Sequence, residues 1–69
     1  MYTDRNFRTK KDFKDAVKKG ERVRLVYNDL VHEGEVPDGT HCIEGPHYPE
    51  PHRWYAQARV QGGVVVSVK

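Results

Sequence analysis

Apolar positions along this chain follow a helical spacing near its start and an alternating spacing thereafter. Phe13, Ala16 and Val17 fall at i, i+3 and i+4, one narrow stripe of the kind an amphipathic helix turns toward a core. Thr9 stands ahead of the stripe as an N-cap. Asp12 follows three residues on, an imperfect capping box with Asp in place of the preferred Glu. Asp12 complements the positive end of the helix dipole, and Lys18 and Lys19 its negative end. Gly20 follows as the C′ residue. The spacing predicts a helix from Lys10 to Lys19, too short to stand alone in water and therefore held by packing.

Beyond Gly20 the period is two. Val23, Leu25 and Tyr27 share one strand face. Asn28-Asp29 is a turn signal, and Leu30 to Val36 is weakly strand-like with Gly34 as a bulge or turn. Pro37-Asp38-Gly39-Thr40 is a turn in which Pro presets its own φ and Gly accepts a positive one. His41 to Glu44 reads as a short returning strand. Gly45 to His52 carries three prolines, which exclude helix and central strand and favour extended polyproline geometry. Arg53 to Val60 alternates, with Trp54, Ala56, Ala58 and Val60 on one face and Arg53, Tyr55, Gln57 and Arg59 on the other. Gln61-Gly62-Gly63 supplies a hairpin turn. Val64, Val66 and Val68 are expected inside a last strand, with Val65, Ser67 and Lys69 outside.

The elements add up to an α+β fold, with one N-terminal helix packed on a three- to four-stranded antiparallel sheet. A small half-closed β-barrel with one helix is the alternative. Residues 1–8 are expected as an extended lead-in, 9–20 as the helix, and 22–69 as the sheet with its Pro-rich loop at 45–52. The helix would lay Phe13 and Val17 against Leu25, Trp54 and Val66. At 69 residues the chain is a single domain. A chain of this size buries only about 60% of its unfolded surface, so a deep enclosed active site is not expected. One cysteine excludes an intrachain disulfide. No apolar run approaches the ~18 residues of a membrane span, and the start of the chain is polar rather than signal-like. A soluble cytoplasmic protein with no membrane partner is expected.

Charge sharpens this picture. The formal net charge is +2, but residues 1–24 carry nine basic and four acidic groups, residues 25–52 six acids and no Lys or Arg, and residues 53–69 three basic groups. All four histidines (His32, His41, His47 and His52) fall in the acidic middle. Such asymmetry either marks a polyanion-binding arm or is neutralised within the fold.

The segment Gly45 to Tyr55 concentrates the residue types that carry chemistry. His47, Tyr48, His52, Arg53 and Tyr55 are candidate partner-binding residues, because aromatic and Arg side chains on a stiffened loop anchor interfaces with little ordering entropy. Trp54 shares its face with Ala56, Ala58 and Val60 and reads as core. A second surface, Arg53, Tyr55 and Arg59 with Lys10 and Lys14, would combine charge and stacking for a single-stranded nucleic acid. A third reading is a metal-stabilised mini-domain, with Cys42, His47 and His52 spaced five apart as thiolate and imidazole donors. Against it, fully extended chain would hold His47 and His52 roughly 15 Å apart. Catalysis is not expected: Cys42 and His41 would point to opposite strand faces, and nothing orients His47, His52 and Glu50 as an acid–base set. No cofactor is expected. The apolar run Val64 to Val68 also suits a homodimer through the C-terminal strand.

The run Thr9 to Val17 with Gly20-Glu21, the block Glu44-Gly45-Pro46-His47-Tyr48-Pro49 with Pro51-His52-Arg53-Trp54-Tyr55-Ala56, and the ending Gly63 to Lys69 resemble small proteins of unassigned function encoded by tailed bacteriophages and prophages. The resemblance covers about half the chain, and only the block from Gly45 to Ala56 is specific. It implies a life in the cytoplasm of a bacterial host cell; together with the loop residues, the expectation is a small phage-type accessory protein with a host or phage protein as partner. It supplies no activity and no catalytic residue.

Overall fold

A computed structural model describes residues 1–27 and 36–69. The expected turn at Asn28-Asp29, most of the Leu30–Val36 run, and His32 lie outside the described residues. The helix, α1, spans Lys10–Lys18 with Lys19 as its C-cap. The Thr9 hydroxyl accepts the Asp12 amide at 3.1 Å, so the N-cap works as its sequence indicates. At the other end the Gly20 amide donates to the Val17 carbonyl at 3.0 Å and the Glu21 amide to the Ala16 carbonyl at 3.1 Å. That pair of bonds is the Schellman arrangement, which satisfies carbonyls the helix leaves open.

Among the described residues five strands follow an α+β plan, in two small antiparallel sheets rather than one. Strand β1 (Tyr2–Thr3) pairs with β2 (Leu25–Val26), and β3 (Gly39–Gly45), β4 (Trp54–Gln61) and β5 (Val64–Val68) form a three-stranded sheet in that order. The lead-in is therefore partly strand. Tyr2 stands opposite Val26 and Thr3 opposite Leu25, and the Asp4 amide continues the ladder to the Arg24 carbonyl at 2.8 Å. Backbone bonds join the two sheets: Glu44 N to Met1 O at 3.0 Å, the Met1 amino group to the Cys42 carbonyl, and Val65 N to Val23 O at 2.8 Å.

Strand β4 alternates as its sequence predicts. Trp54, Ala56, Ala58 and Val60 are buried, while Tyr55, Gln57, Arg59 and Gln61 are exposed. Its turn into β5 is two residues long, with Gly62 at φ 61° and Gly63 at φ 78°, the positive values a type I′ hairpin needs. The Asp38 carboxylate accepts the Gly62 amide at 2.9 Å and ties this turn to the start of β3. The Pro37–Thr40 turn is accordingly shorter than its sequence suggests, since Gly39 already pairs with Val60.

The inner face of β5 departs from simple alternation. Val65 is buried at 3% exposure, whereas Val66 is 48% exposed. The two-residue turn sets the first part, by placing Val64 opposite Gln61 and Val65 opposite the buried Val60, and a bulge beyond Val65 sets the rest. Val60 pairs with Val65, but Arg59 pairs with Ser67, so Val66 is an extra residue without an opposite number. A bulge of one residue shifts the face of everything beyond it. Val65 and Val68 therefore face inward, Val66 does not, and it is not the floor expected under the helix.

The core draws on every long element: Phe13 and Ala16 from α1, Val23 and Leu25, Ile43, the inner β4 residues and Val65. Phe13 stacks at 5.5 Å on Phe7 and lies 5.7 Å from the Trp54 ring, as expected for the helix contact with Trp54. No helix among the described residues is long and apolar enough to cross a membrane.

Candidate functional site

The loop between β3 and β4 is bent back on itself, not extended. The Glu50 amide donates to the His47 carbonyl at 3.1 Å, and the Arg53 amide closes the base of the loop on the Gly45 carbonyl at 2.6 Å. The Gly45–Pro46 and Tyr48–Pro49 peptide bonds are cis. Gly45 is required where it stands: a Cβ there would lie 2.2 Å from the Trp54 ring, far inside contact distance.

Strand β1 braces the loop, and Tyr2 is the centre of the brace. Its ring stacks on His47 at 4.7 Å and meets His52 edge-on at 5.5 Å. The two histidines thus flank one tyrosine instead of standing at the ends of a stiff arm. The Tyr2 hydroxyl accepts the Tyr48 amide at 3.2 Å and lies 2.8 Å from His52 Nε2. His47 Nε2 lies 2.8 Å from the Thr3 carbonyl. A carbonyl can only accept, so His47 Nε2 carries the proton. The Asn6 side-chain oxygen accepts the His47 amide at 2.9 Å, and Trp54 Nε1 donates to the Phe7 carbonyl at 3.0 Å. Glu44 Oε2 stands 4.0 Å from His52 Nδ1, and Glu44 Oε1 3.8 Å from the amino terminus.

These contacts sort the candidate residues. His47 and His52 turn inward and are half-buried, with a ring nitrogen of each engaged. Tyr48 is 80% exposed at the loop tip, Tyr55 is 64% exposed on the outer face of β4, and Arg53 and Arg59 are exposed. Cys42 is exposed on β3 opposite Gln57, and His41 beside it turns to the Pro37 carbonyl at 2.8 Å. The structure does not bring Cys42 to His47 and His52. Among the described residues no group of three or more His, Cys, Asp or Glu is placed to hold a metal ion. Lys10 borders the loop, whereas Lys14 lies along the helix with Lys11 and Lys18.

Beside the loop runs an open groove of about 610 Å³, bounded by Arg8, Thr9, Lys10, Pro46, Glu50, Pro51, Arg53 and Trp54. Its three cations make no ion pair with a described carboxylate. Sequence reasoning passed over Tyr2, because residues 1–8 show no period. The signal it offered was one aromatic ring in a polar lead-in. Arrangement and chemistry together describe a braced, solvent-facing surface on a small α+β fold. Comparison with protein-family models, with curated proteins and with solved structures finds no match.

Proposed function

We propose that this chain is a small non-enzymatic binding module, a phage-type accessory protein that contacts a protein partner in the host cytoplasm through the loop of residues 45–52. The observation that carries the reading is Tyr48, 80% exposed on a loop whose backbone is held at His47 and Tyr48 by Asn6 and Tyr2, and beyond Tyr48 at Glu50 and Arg53 by bonds within the loop. A large ring held out by a rigid support loses little entropy on docking, which favours its use as an anchor. Arg53, at the end of the loop, and Tyr55, on β4, add a charged and an aromatic contact. His47 and His52 serve the same function from beneath, by locking the loop to Tyr2 and Thr3. The backbone joints between the sheets, at Met1 and at Val65, support reading the fold as a half-closed barrel, with β1 carried to the loop by its seam.

The test is affinity capture from host cells on immobilised full-length chain, after nuclease treatment and in about 0.5 M salt, which weakens phosphate contacts steeply. A specific protein retained by the wild type and lost with Tyr48→Ala is the expected result. Tyr48 makes no ring contact with another described aromatic residue, so the variant is expected to keep the wild-type Trp54 fluorescence. Identical capture by the two proteins overturns the reading.

A further inference from the structure

The outer face of the three-stranded sheet carries a second pattern that does not involve Tyr48. The groove beside the loop holds Arg8, Lys10 and Arg53. Lys10 is shared with a second depression on the sheet, which adds Tyr55, Gln57 and Lys69. Gln57 and Lys69 are shared in turn with a third, which adds Arg59 and Ser67. Three shallow depressions therefore join into one track. Backbone bonds in both directions between Gln57 and Lys69, at 3.1 and 2.8 Å, hold its middle rigid.

The charge along the track is one-sided. Arg8, Lys10, Arg53 and Arg59 line it, and none makes an ion pair with a described carboxylate, while Lys69 brings its ammonium together with its own α-carboxylate. Of the two acids that border it, Glu44 faces the amino terminus and His52, at 3.8 and 4.0 Å, which leaves Glu50. From Arg53 to Arg59 an extended strand rises about 20 Å. Tyr55 stands between these cations at 64% exposure.

We propose that this track binds single-stranded nucleic acid, with phosphates on Arg8, Lys10, Arg53 and Arg59 and an unpaired base stacked on Tyr55. A positive groove that follows a backbone, interrupted by an exposed ring for a base, is the general means of holding a single strand without reading its sequence. An acidic peptide would meet the cations but leave Tyr55 without a stacking partner. A duplex would meet the cations but keep its bases out of reach. The proposal goes beyond the protein-partner reading and turns on Tyr55 rather than on Tyr48, the anchor of that reading.

The experiment is fluorescence anisotropy of a labelled twelve-nucleotide oligo(dT) with the full chain. About four phosphate contacts give a roughly 50-fold loss of affinity between 50 and 200 mM salt, from a slope near −0.7 per contact. Tyr55→Ala weakens binding roughly 5- to 150-fold, the range for loss of one stacked base. Arg59→Gln flattens the salt slope by about 0.7. Both substitutions are at exposed strand positions, and an unchanged Trp54 emission reports that each variant is folded. Tyr48→Ala leaves oligonucleotide binding unchanged, which separates this track from the loop tip. No binding at 20 mM salt, wild-type affinity in Tyr55→Ala, tighter binding of the matching duplex, or equal displacement by polyglutamate each overturns the proposal.

Discussion

Tyr2 does at the scale of one residue what the loop sequence cannot do for itself. Its ring occupies the space between His47 and His52, and its hydroxyl takes the Tyr48 amide and pairs with His52 Nε2. Tyr2→Phe keeps the ring and removes the hydroxyl. The expected loss is about 1 kcal/mol of unfolding free energy, the ordinary worth of such a bond. Urea denaturation measures that loss, and amide exchange should quicken at Tyr48 first, since its donor is left without a partner. A Tyr2→Phe protein with wild-type stability and exchange would show that stacking alone holds the loop. This brace was hidden in the sequence for a physical reason. Its partners are separated by 45 to 50 positions, and no local period reports a contact of that span. The Thr9 cap was legible because both of its partners lie within four residues. Trp54 was legible as core from its alternating apolar neighbours, although the tight approach to Gly45 was not.

At the scale of elements, periodicity located α1, β4 and the Gly62-Gly63 hairpin to within a residue or so, because each rests on local pattern and turn chemistry. It failed on β1, which is two residues long and exists only by pairing with β2. It also inverted the start of β5, Val64 to Val66, although Val68 packs on the core as expected. A run of valines gives no polar marker of which positions face water, so nothing in Val64 to Val66 betrays the register that pairs Val65 with Val60. That register yields a direct contrast between neighbours of identical chemistry. Val65→Ala opens space in the core and is expected to cost about 2 kcal/mol. Val66→Ala touches an exposed side chain and is expected to lie within about 0.5 kcal/mol of the wild type. Thermal melts of the two variants decide the matter. A larger loss at Val66 than at Val65 would place Val66, not Val65, opposite Val60.

At the scale of the whole molecule, the question is whether two small sheets and a nine-residue helix behave as one unit. Neither sheet is large enough for independence: two- and three-stranded sheets in water depend on packing against something else. Among the described residues the backbone links between them are three bonds, Glu44 to Met1, the Met1 amino group to the Cys42 carbonyl, and Val65 to Val23, each of modest net worth. The core is what couples them. Phe13 of the helix meets Trp54 of β4 directly, and Leu25 of β2, Ile43 of β3 and Val65 of β5 belong to the same buried cluster. Removing any one element exposes apolar surface of the others, so partial unfolding forfeits most of the stability that remains. For a chain of 69 residues that stability is roughly 3 to 10 kcal/mol. Unfolding should therefore be all-or-none. Trp54, the single tryptophan, reports the helix–sheet contact by its fluorescence, while far-ultraviolet circular dichroism reports helix and strands together. The two transitions in urea are expected to superimpose, with one midpoint and one slope. If the dichroism retained a second phase after Trp54 was exposed, the cluster would not be the coupling element, and the loop brace on β1 would have to be stable without it.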